Sequence, residues 1–492
     1  MTTAATGPST GPSADSAADP PSGSSAPVFL FSGDPLRPSR TDPQFTHEAR
    51  AAQAAGARTS VIDHEALGAG DAARAVARVP HGAGAAWYRG WMLPAERYAA
   101  LAAALADRGC ALLTSPEHYR TAHELPGWYG TFAELTPPSR WLPCAPGRAP
   151  DAAELARAAG ALGPGPLFVK DWVKSRKHEW DQAAYVPDAA DTARLTAVVG
   201  AFVRLQEEFL TGGVVLRSFE SYRAATGEAR VWWVDGVPVL TTAHPDAPEL
   251  RPAPDLSAVA PAVRELGCRF VTTDLALRED GAWRVVEVGD GQVSGLPEGA
   301  DGLALFEALG LAGAGFPSAL TDGRVVLRAQ PPSAAARLAD GGGAGPAWID
   351  GQPPEGTTRT AARVVQAVAA GVYRPGWGLF TIVRGTDGTA LGSIGFHGPP
   401  DEAGTVEIGY TLSPSARGAG WATAAARLLA GWAAARPEVR TVIALTASEN
   451  TASQRVLERA GFTRTGVRTV DGDSLYAYEY AGVPASRTSP AA

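Results

Sequence analysis

The chain has 492 residues, of which 45% are hydrophobic and 19% are charged, a composition typical of a globular protein with roughly two to four domains. A net charge of −8 argues against binding to nucleic acid, and there is no run of 18 apolar residues that would predict a membrane span. The three cysteines, Cys110, Cys144 and Cys268, have no metal-ligand spacing and leave one unpaired in any disulfide scheme. This pattern favours a reducing compartment and predicts a cytoplasmic protein.

The two ends of the chain are poor in residues that could form a core. Residues 1–26 consist mainly of Ser, Gly, Pro, Ala and Thr, and residues 483–492 have a similar composition. Both segments are predicted to be disordered, because neither buries enough apolar surface to offset the loss of chain entropy. The first segment also lacks the basic and apolar regions of a signal peptide.

Alternating strands and helices predict an α/β unit over residues 27–145. Strands are expected at 28–32, 59–62 and 110–114, and helices at 45–56 and 94–108. A stretch rich in Pro, Gly and Ala at 145–166 then separates this unit from the next block.

The second block, 146–312, is predicted to be an antiparallel-rich α+β domain. Its expected elements are a strand around Lys170, a helix at 191–210 and strands within 212–222, 228–240, 268–280 and 283–291. Two Asp-Gly pairs, at 235–236 and 280–281, predict hairpin turns.

The third block, 324–482, has a different order of elements. Strands are expected at 324–329, 379–385, 391–398, 405–412, 439–447 and 474–480, and helices at 358–370, 421–435 and 451–460. The Gly- and Pro-rich stretch 339–356 is expected to be a loop within this block.

Lysine and asparagine are rare in this arginine- and alanine-rich chain. The 43 basic residues include three lysines, Lys170, Lys174 and Lys177, which fall within eight residues, and Asn450 is the sole asparagine. The bias is typical of a GC-rich genome, in which a rare residue is retained where chemistry requires it. Chance is the competing explanation, so these positions are pointers to functional sites rather than proof of them.

The turn after the strand that ends near Leu412 has the composition of an anion-binding loop. It leads directly into an alanine-rich helix and contains Arg417, Gly418, Ala419, Gly420, Trp421 and Ala422. Small residues let backbone N–H groups approach an anion, and the helix N-terminus adds partial positive charge, which suits a pyrophosphate. Taken alone, the turn is equally typical of an ordinary strand–helix connection. It lacks the third glycine of a dinucleotide fingerprint and the Gly-Lys-Ser/Thr of a phosphate loop.

Residues 324–480 resemble the GNAT family of acyl-CoA-dependent N-acetyltransferases. The family pattern Gln/Arg-x-x-Gly-x-Gly/Ala is matched by Arg417, Gly420 and Ala422, and its Asn-x-x-Ser element by Asn450 and Ser453. The order of elements also agrees. The resemblance implies a mixed, mostly antiparallel central sheet, a loop that holds the pyrophosphate of acetyl-CoA, and Asn450 and Ser453 beside its pantetheine arm.

The same resemblance implies that an amine attacks the acetyl thioester directly, with a base for the ammonium proton and an acid for the thiolate. Glu407, on the strand before the cofactor loop, is the candidate base, although a structural carboxylate explains this residue equally well. Many family members place a tyrosine acid shortly before a Gly-Phe pair, where this chain has Leu457. Tyr476 is therefore the candidate acid, with Tyr478 as a second choice, and His397 is interpreted as a loop residue.

The central block places charged residues on predicted strands. Lys170 suits a nucleotide phosphate, because a lysine is a compact point charge, and Arg217 and Arg230 lie on later strands. Carboxylates from two consecutive strands could converge on Mg²⁺ that bridges phosphates: Asp274, Glu287 and Asp290. Each of these residues alone is at least as typical of a solvated face or an ion pair.

Taken together, residues 27–312 resemble the ATP-grasp superfamily, and most closely a bacterial and phage branch that pairs a strand lysine with a strand arginine. The resemblance implies ATP between two α+β lobes, Mg²⁺ on Asp274, Glu287 and Asp290, and an acylphosphate that an amine attacks to form an amide. The usual Glu-x-Asn metal pair is replaced here by Glu287-Val288-Gly289-Asp290, so that Asp290 is expected to stand for the Asn.

The predicted fold is thus a multidomain α+β and α/β chain, with an ATP-grasp-like two-lobed module followed by a GNAT acyl-CoA N-acyltransferase fold. The predicted function is acetyl transfer from acetyl-CoA to an amine of a small molecule or peptide, with a second activity that uses ATP and Mg²⁺ to form amide bonds. Three alternatives stay open: a ligase with an accessory acetyltransferase, an acetyltransferase whose first module only binds a ligand, and a sensor that has lost catalysis.

Overall fold

The computed structural model describes residues 26–245, 247–342, 345–470 and 472–481. The predictions of disorder for residues 1–25 and 483–492 lie outside these ranges. Within the described residues, no helix is long and apolar enough to cross a lipid bilayer.

The N-terminal part is built on a five-stranded sheet. Its strands are β1 (Val28–Asp34), β2 (Arg37–Thr41), β3 (Arg58–Ile62), β4 (Gly84–Arg89) and β5 (Cys110–Leu112). Its helices are α1 (Thr46–Ala54), α2 (His64–Gly68), α3 (Ala72–Ala75), α4 (Ala95–Ala106), α5 (Pro116–His123) and α6 (Leu125–Phe132). β1 pairs in parallel with both β3 and β4, and its apolar side chains are buried, so this strand forms the centre of the core.

The central part contains two four-stranded antiparallel sheets. The first has the order β6-β9-β7-β8 and consists of β6 (Ser139–Pro143), β7 (Leu167–Asp171), β8 (Tyr185–Val186) and β9 (Gly213–Ser218), with α7 (Ala152–Gly160) and α8 (Thr192–Gln206). The second has the order β11-β10-β12-β13 and consists of β10 (Glu228–Val234), β11 (Val237–Ala243), β12 (Phe270–Leu277) and β13 (Trp283–Asp290), with α9 (Val259–Leu266). The predicted hairpin at Asp235-Gly236 is confirmed, and both residues have the positive φ that a tight hairpin turn requires.

The C-terminal part is an eight-stranded sheet with the order β14-β15-β16-β17-β18-β19-β21-β20. Its strands are β14 (Ala319–Thr321), β15 (Val325–Ala329), β16 (Leu379–Arg384), β17 (Ala390–Phe396), β18 (Thr405–Leu412), β19 (Thr441–Ala447), β20 (Phe462–Val470) and β21 (Asp473–Tyr480). Among the described strands of this sheet, β18 and β19 form the one parallel pair, so the predicted mixed, mostly antiparallel sheet is confirmed. Its helices are α11 (Pro332–Ala339), α12 (Glu355–Ala369), α13 (Trp421–Ala434) and α14 (Thr451–Ala460).

One further helix, α10 (Gly302–Gly313), connects the N-terminal sheet to the C-terminal part. The Trp87 indole N–H donates to the carbonyl oxygen of Leu309 at 2.9 Å, and Phe306 packs edge-on against Phe29. On the same helix, the Glu307 carboxylate accepts hydrogen bonds from the backbone N–H and the hydroxyl of Ser333, at the start of α11. The carboxylate thereby satisfies a donor that the helix itself leaves free.

Candidate functional site

The loop between β18 and α13 leaves backbone donors open to an anion. Gly418 and Gly420 both have φ of +79°, a left-handed conformation that glycine adopts without strain. Gly420 is the N-cap of α13, and no side chain caps the helix there. The first N–H groups of an α-helix have no intrahelical acceptor, so they are available to a ligand together with the positive end of the helix dipole. The predicted loop residues are therefore brought together in the expected form.

Two arginines flank this loop, and the sequence analysis identified one of them. Arg417 donates weakly to the carbonyl oxygen of Leu412, at 3.3 and 3.4 Å. Arg324, which precedes β15, donates to the carbonyl oxygen of Ala419 and lies over the Trp421 ring, 4.4 Å from its centroid. Arg324 therefore braces the loop and adds positive charge beside it. Its separation of nearly 100 residues from the loop motif hid it from sequence reasoning.

A wedge-shaped gap opens between β18 and β19 next to this loop. The two strands pair from Thr405–Thr441 to Glu407–Ile443 and then separate, although both continue for several residues. Because the strands are parallel, the helices that follow them, α13 and α14, both begin at the open end of the gap. The gap thus has two helix N-termini at its mouth and Glu407 at its closed end.

The predicted Asn450 and Ser453 lie at the mouth of the gap. The Asn450 side chain caps α14 by accepting a hydrogen bond from the backbone N–H of Ser453 at 3.1 Å. Ser453 in turn holds the Tyr410 hydroxyl on the facing strand, with Oγ 2.9 Å and its carbonyl oxygen 3.2 Å from the phenol oxygen. Asn450 therefore orders α14, and Ser453 connects that helix to β18 across the gap.

Tyr410 is a functional candidate that the sequence analysis missed. Burial raises the pKa of Tyr410 to about 12, against the lowering effect of its hydrogen bond to Ser453, so the phenol stays protonated at neutral pH. The predicted acid Tyr476 lies on β21, where the Arg464 guanidinium covers its ring at 3.3 Å from the centroid. Tyr478 is buried in the core of the sheet. Tyr410 is thus the phenol that spans the gap.

At the closed end of the gap, Glu407 pairs with His397. The imidazole Nδ1 lies 2.9 Å from Oε1 of Glu407, and the backbone N–H of His397 donates to the Glu407 carbonyl oxygen at 3.0 Å. Both side chains are accessible, with 44% of His397 and 26% of Glu407 exposed. The interpretation of His397 as an uninvolved loop residue is corrected by this contact.

A second site lies in the central part, where the predicted Lys170 and Arg217 project from neighbouring strands β7 and β9. Both are almost completely buried, and Lys170 Nζ lies 3.9 Å from Oε1 of Glu287. Arg217 donates to Ser139 Oγ at 3.1 Å and to the carbonyl oxygen of Val286, but its Nη2 is buried with no partner among the described residues. Burial lowers the pKa of both side chains, and Glu287 opposes this effect.

The other two lysines face carboxylates of the same site. Lys174, together with Lys170 and Arg230, lowers the pKa of Glu287, and these charges outweigh the raising effect of burial. Lys177 lowers the pKa of Glu228. The chain turns back after β7 through Asp171, which accepts from the backbone N–H groups of Val173 and Lys174. The cluster of rare lysines in the sequence is therefore also a cluster in space.

Carboxylates gather opposite these cations on β10, β12 and β13. Asp274 and Glu287 are register partners, and the Arg230 guanidinium binds Asp274 through two hydrogen bonds of 2.8 and 2.7 Å. Two residues that the sequence analysis missed, Glu228 and His244, place ligand atoms within 4.8 Å of one another and of Asp274. Burial raises the pKa of Glu228 to about 8, and Asp274 and Glu287 add to this shift. Carboxylates held so close together favour a cation among them.

Asp290 does not join this group, which corrects the predicted metal set. Alternate residues of a strand point to opposite faces, so Asp290, three positions after Glu287, faces away from the site. Its Oδ1 accepts from the backbone N–H and the side-chain amide of Gln292, and its Oδ2 is buried with no partner among the described residues. The position on the site's own face, two residues after Glu287, is occupied by Gly289, which supplies no ligand.

The buried carboxyl of Asp290 predicts a pH-dependent stability. Burial raises the pKa of Asp290 from 3.8 to about 7, so the folded state binds more protons than the unfolded state between these values and stability falls as pH rises through this range. At about 1.4 kcal/mol per pKa unit, the cost above about pH 7 is at most roughly 4 kcal/mol. We expect Asp290→Asn to raise the melting temperature at about pH 8 and to have little effect at about pH 4. Equal changes at both pH values, measured by differential scanning calorimetry, would contradict this assignment.

Two segments of the chain match known protein families. Residues 159–309 match a family of the ATP-grasp domain, the third family of its clade, and residues 324–463 match the family described as acetyltransferase (GNAT) domain. The chain therefore carries an ATP-grasp domain followed by a GNAT acetyltransferase domain. Both predicted resemblances and the predicted fold class are confirmed.

Individual relatives cover smaller shares of the chain. It is 37% identical over 87 residues to the uncharacterized N-acetyltransferase YjdG of Bacillus subtilis strain 168, which is 18% of this chain and 52% of that protein, so the chain spans about half the length of this curated relative. The crystal structure of D-cycloserine synthetase DcsG has 18% identity and a TM-score of 0.41, covering 58% of this chain and 99% of the other. A GNAT-family acetyltransferase from Bacillus anthracis has 22% identity and a TM-score of 0.24, covering 33% and 96%.

Proposed function

We propose that the chain is an acetyl-CoA-dependent N-acetyltransferase joined to an ATP-grasp module that binds Mg²⁺ and ATP and forms amide bonds. One observation carries the acetyltransferase half of the proposal. The gap between β18 and β19 has an uncapped helix N-terminus and two positive-φ glycines at its mouth, and an accessible His397–Glu407 pair at its closed end. Such a gap suits a long ligand with an anionic end and a reactive end.

The loop residues fit the pyrophosphate of acetyl-CoA. A Cβ at Gly418 would meet no atom within 4 Å, and a Cβ at Gly420 would come near the Arg324 guanidinium alone, so the loop surface is open and flanked by positive charge. Backbone N–H groups from Gly418 to Ala422 would bind the phosphates, with Arg417 and Arg324 beside them. The bound thioester supplies an activated acetyl group. Asn450 and Ser453 would border the arm that connects the two ends.

The residues at the two ends of the gap fit the proton transfers of acetylation. The His397–Glu407 pair supplies a base for the ammonium proton of the acceptor. Tyr410, held by Ser453 and protonated at neutral pH, supplies an acid for the departing thiolate. We assign this role to Tyr410 rather than to Tyr476, because Tyr410 spans the gap between β18 and α14.

The central site fits a nucleotide triphosphate and a divalent cation. Lys170 and the unpartnered Nη2 of Arg217 are buried donors of the kind that a phosphate satisfies. Asp274, Glu287 and Glu228 are the carboxylates that would hold Mg²⁺, which neutralises negative charge on phosphates when it is bound. Arg230 would keep Asp274 oriented. In this role the module would activate a carboxylate for attack by an amine.

We further propose that the substrates are amines of small molecules or peptides and that the protein acts in the cytoplasm, without nucleic-acid or membrane partners. All three cysteines are unpaired, and two of them are buried, which suits a reducing compartment. The acidic net charge of −8 disfavours a nucleic-acid partner.

The test is to incubate the full-length protein with acetyl-CoA and with Mg²⁺ and ATP separately, against a panel of amines and amino acids. Thiol release reports the acetyltransferase, and ADP release reports the ligase. Acetyl-CoA turnover that depends on an added amine supports the first half, and ADP release that depends on both a carboxylate and an amine supports the second. Nucleotide binding without ADP release across the panel would favour the alternative in which the first module only binds its ligand.

A further inference from the structure

The contact between His397 and Glu407 fixes which imidazole nitrogen can accept a proton. Nδ1 lies 2.9 Å from the Glu407 carboxylate oxygen, and a carboxylate accepts hydrogen bonds but donates none. Nδ1 must therefore carry the proton of the neutral ring, which leaves the lone pair on Nε2. The backbone hydrogen bond from His397 to the Glu407 carbonyl oxygen, at 3.0 Å, fixes the base of the side chain as well.

Glycine at position 409 creates the space into which Nε2 points. A Cβ built on Gly409 would lie 2.7 Å from Nε2 of His397, closer than real Cβ contacts occur. Gly409 follows Glu407 by two residues on the same face of β18, and its register partner on β17 is Gly395. The imidazole therefore extends over the part of β18 that lies beyond the paired segment, alongside the gap.

We propose that Nε2 of His397, rather than the Glu407 carboxylate, accepts the proton of the acceptor ammonium, and that Glu407 is a positioning residue that fixes the ring. The inference rests on the proposed acetyltransferase function and deepens it by exchanging the roles expected from the sequence. The arrangement matches a carboxylate–imidazole pair, in which the carboxylate selects the tautomer and stabilises the imidazolium that forms. Both side chains are exposed enough to meet a substrate.

The reaction balances with the groups at hand. One ammonium N–H bond breaks and its proton moves to Nε2, and the freed nitrogen lone pair forms the C–N bond at the thioester carbonyl. The C–S bond then breaks, the thiolate takes a proton from the Tyr410 hydroxyl, and the phenolate is reprotonated by the second proton that the amine nitrogen gives up. The imidazolium releases its proton to water, so one proton is released per acetyl group transferred.

A comparison of two nucleophiles tests this assignment. Benzylamine is an ammonium ion at neutral pH and must lose a proton before it attacks, whereas hydroxylamine is already neutral. We expect His397→Gln to lower kcat for benzylamine by about 10²–10⁴-fold and to change kcat for hydroxylamine far less. Glu407→Gln keeps an acceptor for the Nδ1 proton, so we expect a smaller loss than in His397→Gln. Imidazole added to His397→Ala should restore part of the benzylamine rate.

The opposite ranking would overturn the proposal. If Glu407→Gln abolished transfer to benzylamine while His397→Gln stayed near wild type, Glu407 would be the base itself. Nitrogen NMR of the histidine ring supplies a readout that does not need turnover, since the His397 signal is identified by its loss in His397→Gln. We expect an unprotonated Nε2 and a protonated Nδ1. The reverse tautomer would refute the assignment even if the protein acetylates amines, and absence of transfer to both nucleophiles would instead count against the proposed function.

Two glycine variants provide a matched control. Gly409→Ala should displace the imidazole without unfolding the protein, because the clashing atom is at the end of a side chain, and it should lose transfer to benzylamine about as severely as His397→Gln. Gly398→Ala adds the same methyl group one residue after His397, where nothing lies within 4 Å. We expect this variant to keep wild-type kcat. A Gly409→Ala variant with wild-type kcat would show that the ring position is irrelevant.

Discussion

Gly420→Glu is expected to lower the affinity of the protein for acetyl-CoA by about 10²–10³-fold and to leave ATP binding unchanged. A carboxylate at the N-cap of α13 would stand where the phosphates bind, and two unit charges about 4 Å apart near a protein surface repel by up to roughly 4 kcal/mol. Each 1.4 kcal/mol is about a tenfold change in affinity. The side chain would also compete for the open backbone donors, as an N-cap carboxylate does in other helices.

The control for this variant carries the same substitution at a neutral position. Gly371 has φ of +69°, and no atom lies within 4 Å of the position that a Cβ would take, so Gly371→Glu imposes a similar backbone strain away from the loop. Isothermal titration calorimetry of both variants with acetyl-CoA and with ATP separates the two effects. Unchanged acetyl-CoA affinity in folded Gly420→Glu would remove the loop from the cofactor site.

The acetyl-CoA loop was predictable because its chemistry depends on local sequence. Positive φ at Gly418 and Gly420, and a helix that begins at Trp421, follow from glycine spacing and from the alanine-rich segment after it. The same reasoning correctly placed Asn450 at a helix start. Such features involve neighbours within a few residues, where propensity and backbone geometry decide the structure.

Residues that act across the sheet were not predictable in the same way. His397 meets Glu407, and Tyr410 meets Ser453, only because the strands align in a particular register, and periodicity alone does not give the register between distant strands. Arg324 reaches the loop from the far end of the domain sequence. These contacts are decided by strand pairing, which a single sequence does not specify.

The metal carboxylates show where a sequence pattern was enough and where it was overextended. The antiparallel pairing of β12 and β13 placed Asp274 opposite Glu287, as adjacent strands allow. Asp290 was expected to replace an Asn two residues after Glu287, but the alternation of strand faces puts an odd offset on the opposite side. Helix α10 was missed for a different reason: it is apolar on nearly all sides, and such a helix lacks the amphipathic period that marks a surface helix.

The second large effect is expected in the ATP-grasp domain, where Glu287→Gln should lower ATP turnover by at least about 100-fold. The change removes one of the charges that would hold the cation, and a metal ion contributes several kcal/mol of charge stabilisation in phosphoryl transfer. It also leaves Lys170 buried without the carboxylate 3.9 Å from its Nζ. Glu279→Gln, on the exposed turn between β12 and β13, is the matched control and should behave as wild type.

Lys170→Met separates nucleotide binding from metal binding at the same site, because methionine keeps most of the buried volume and removes the charge. The lost contact to a phosphate is worth about 1.5–3 kcal/mol, the range for a hydrogen bond to a charged group, which is roughly 10–100-fold in ATP affinity. We expect this loss with or without Mg²⁺, whereas Glu287→Gln should weaken only the Mg²⁺-dependent part of binding. Acetyl transfer should survive both changes if the two domains act independently. Titration of the full-length variants with ATP, with and without Mg²⁺, decides the matter, since ATP binding that is independent of Mg²⁺ in the wild type would refute the assigned carboxylates.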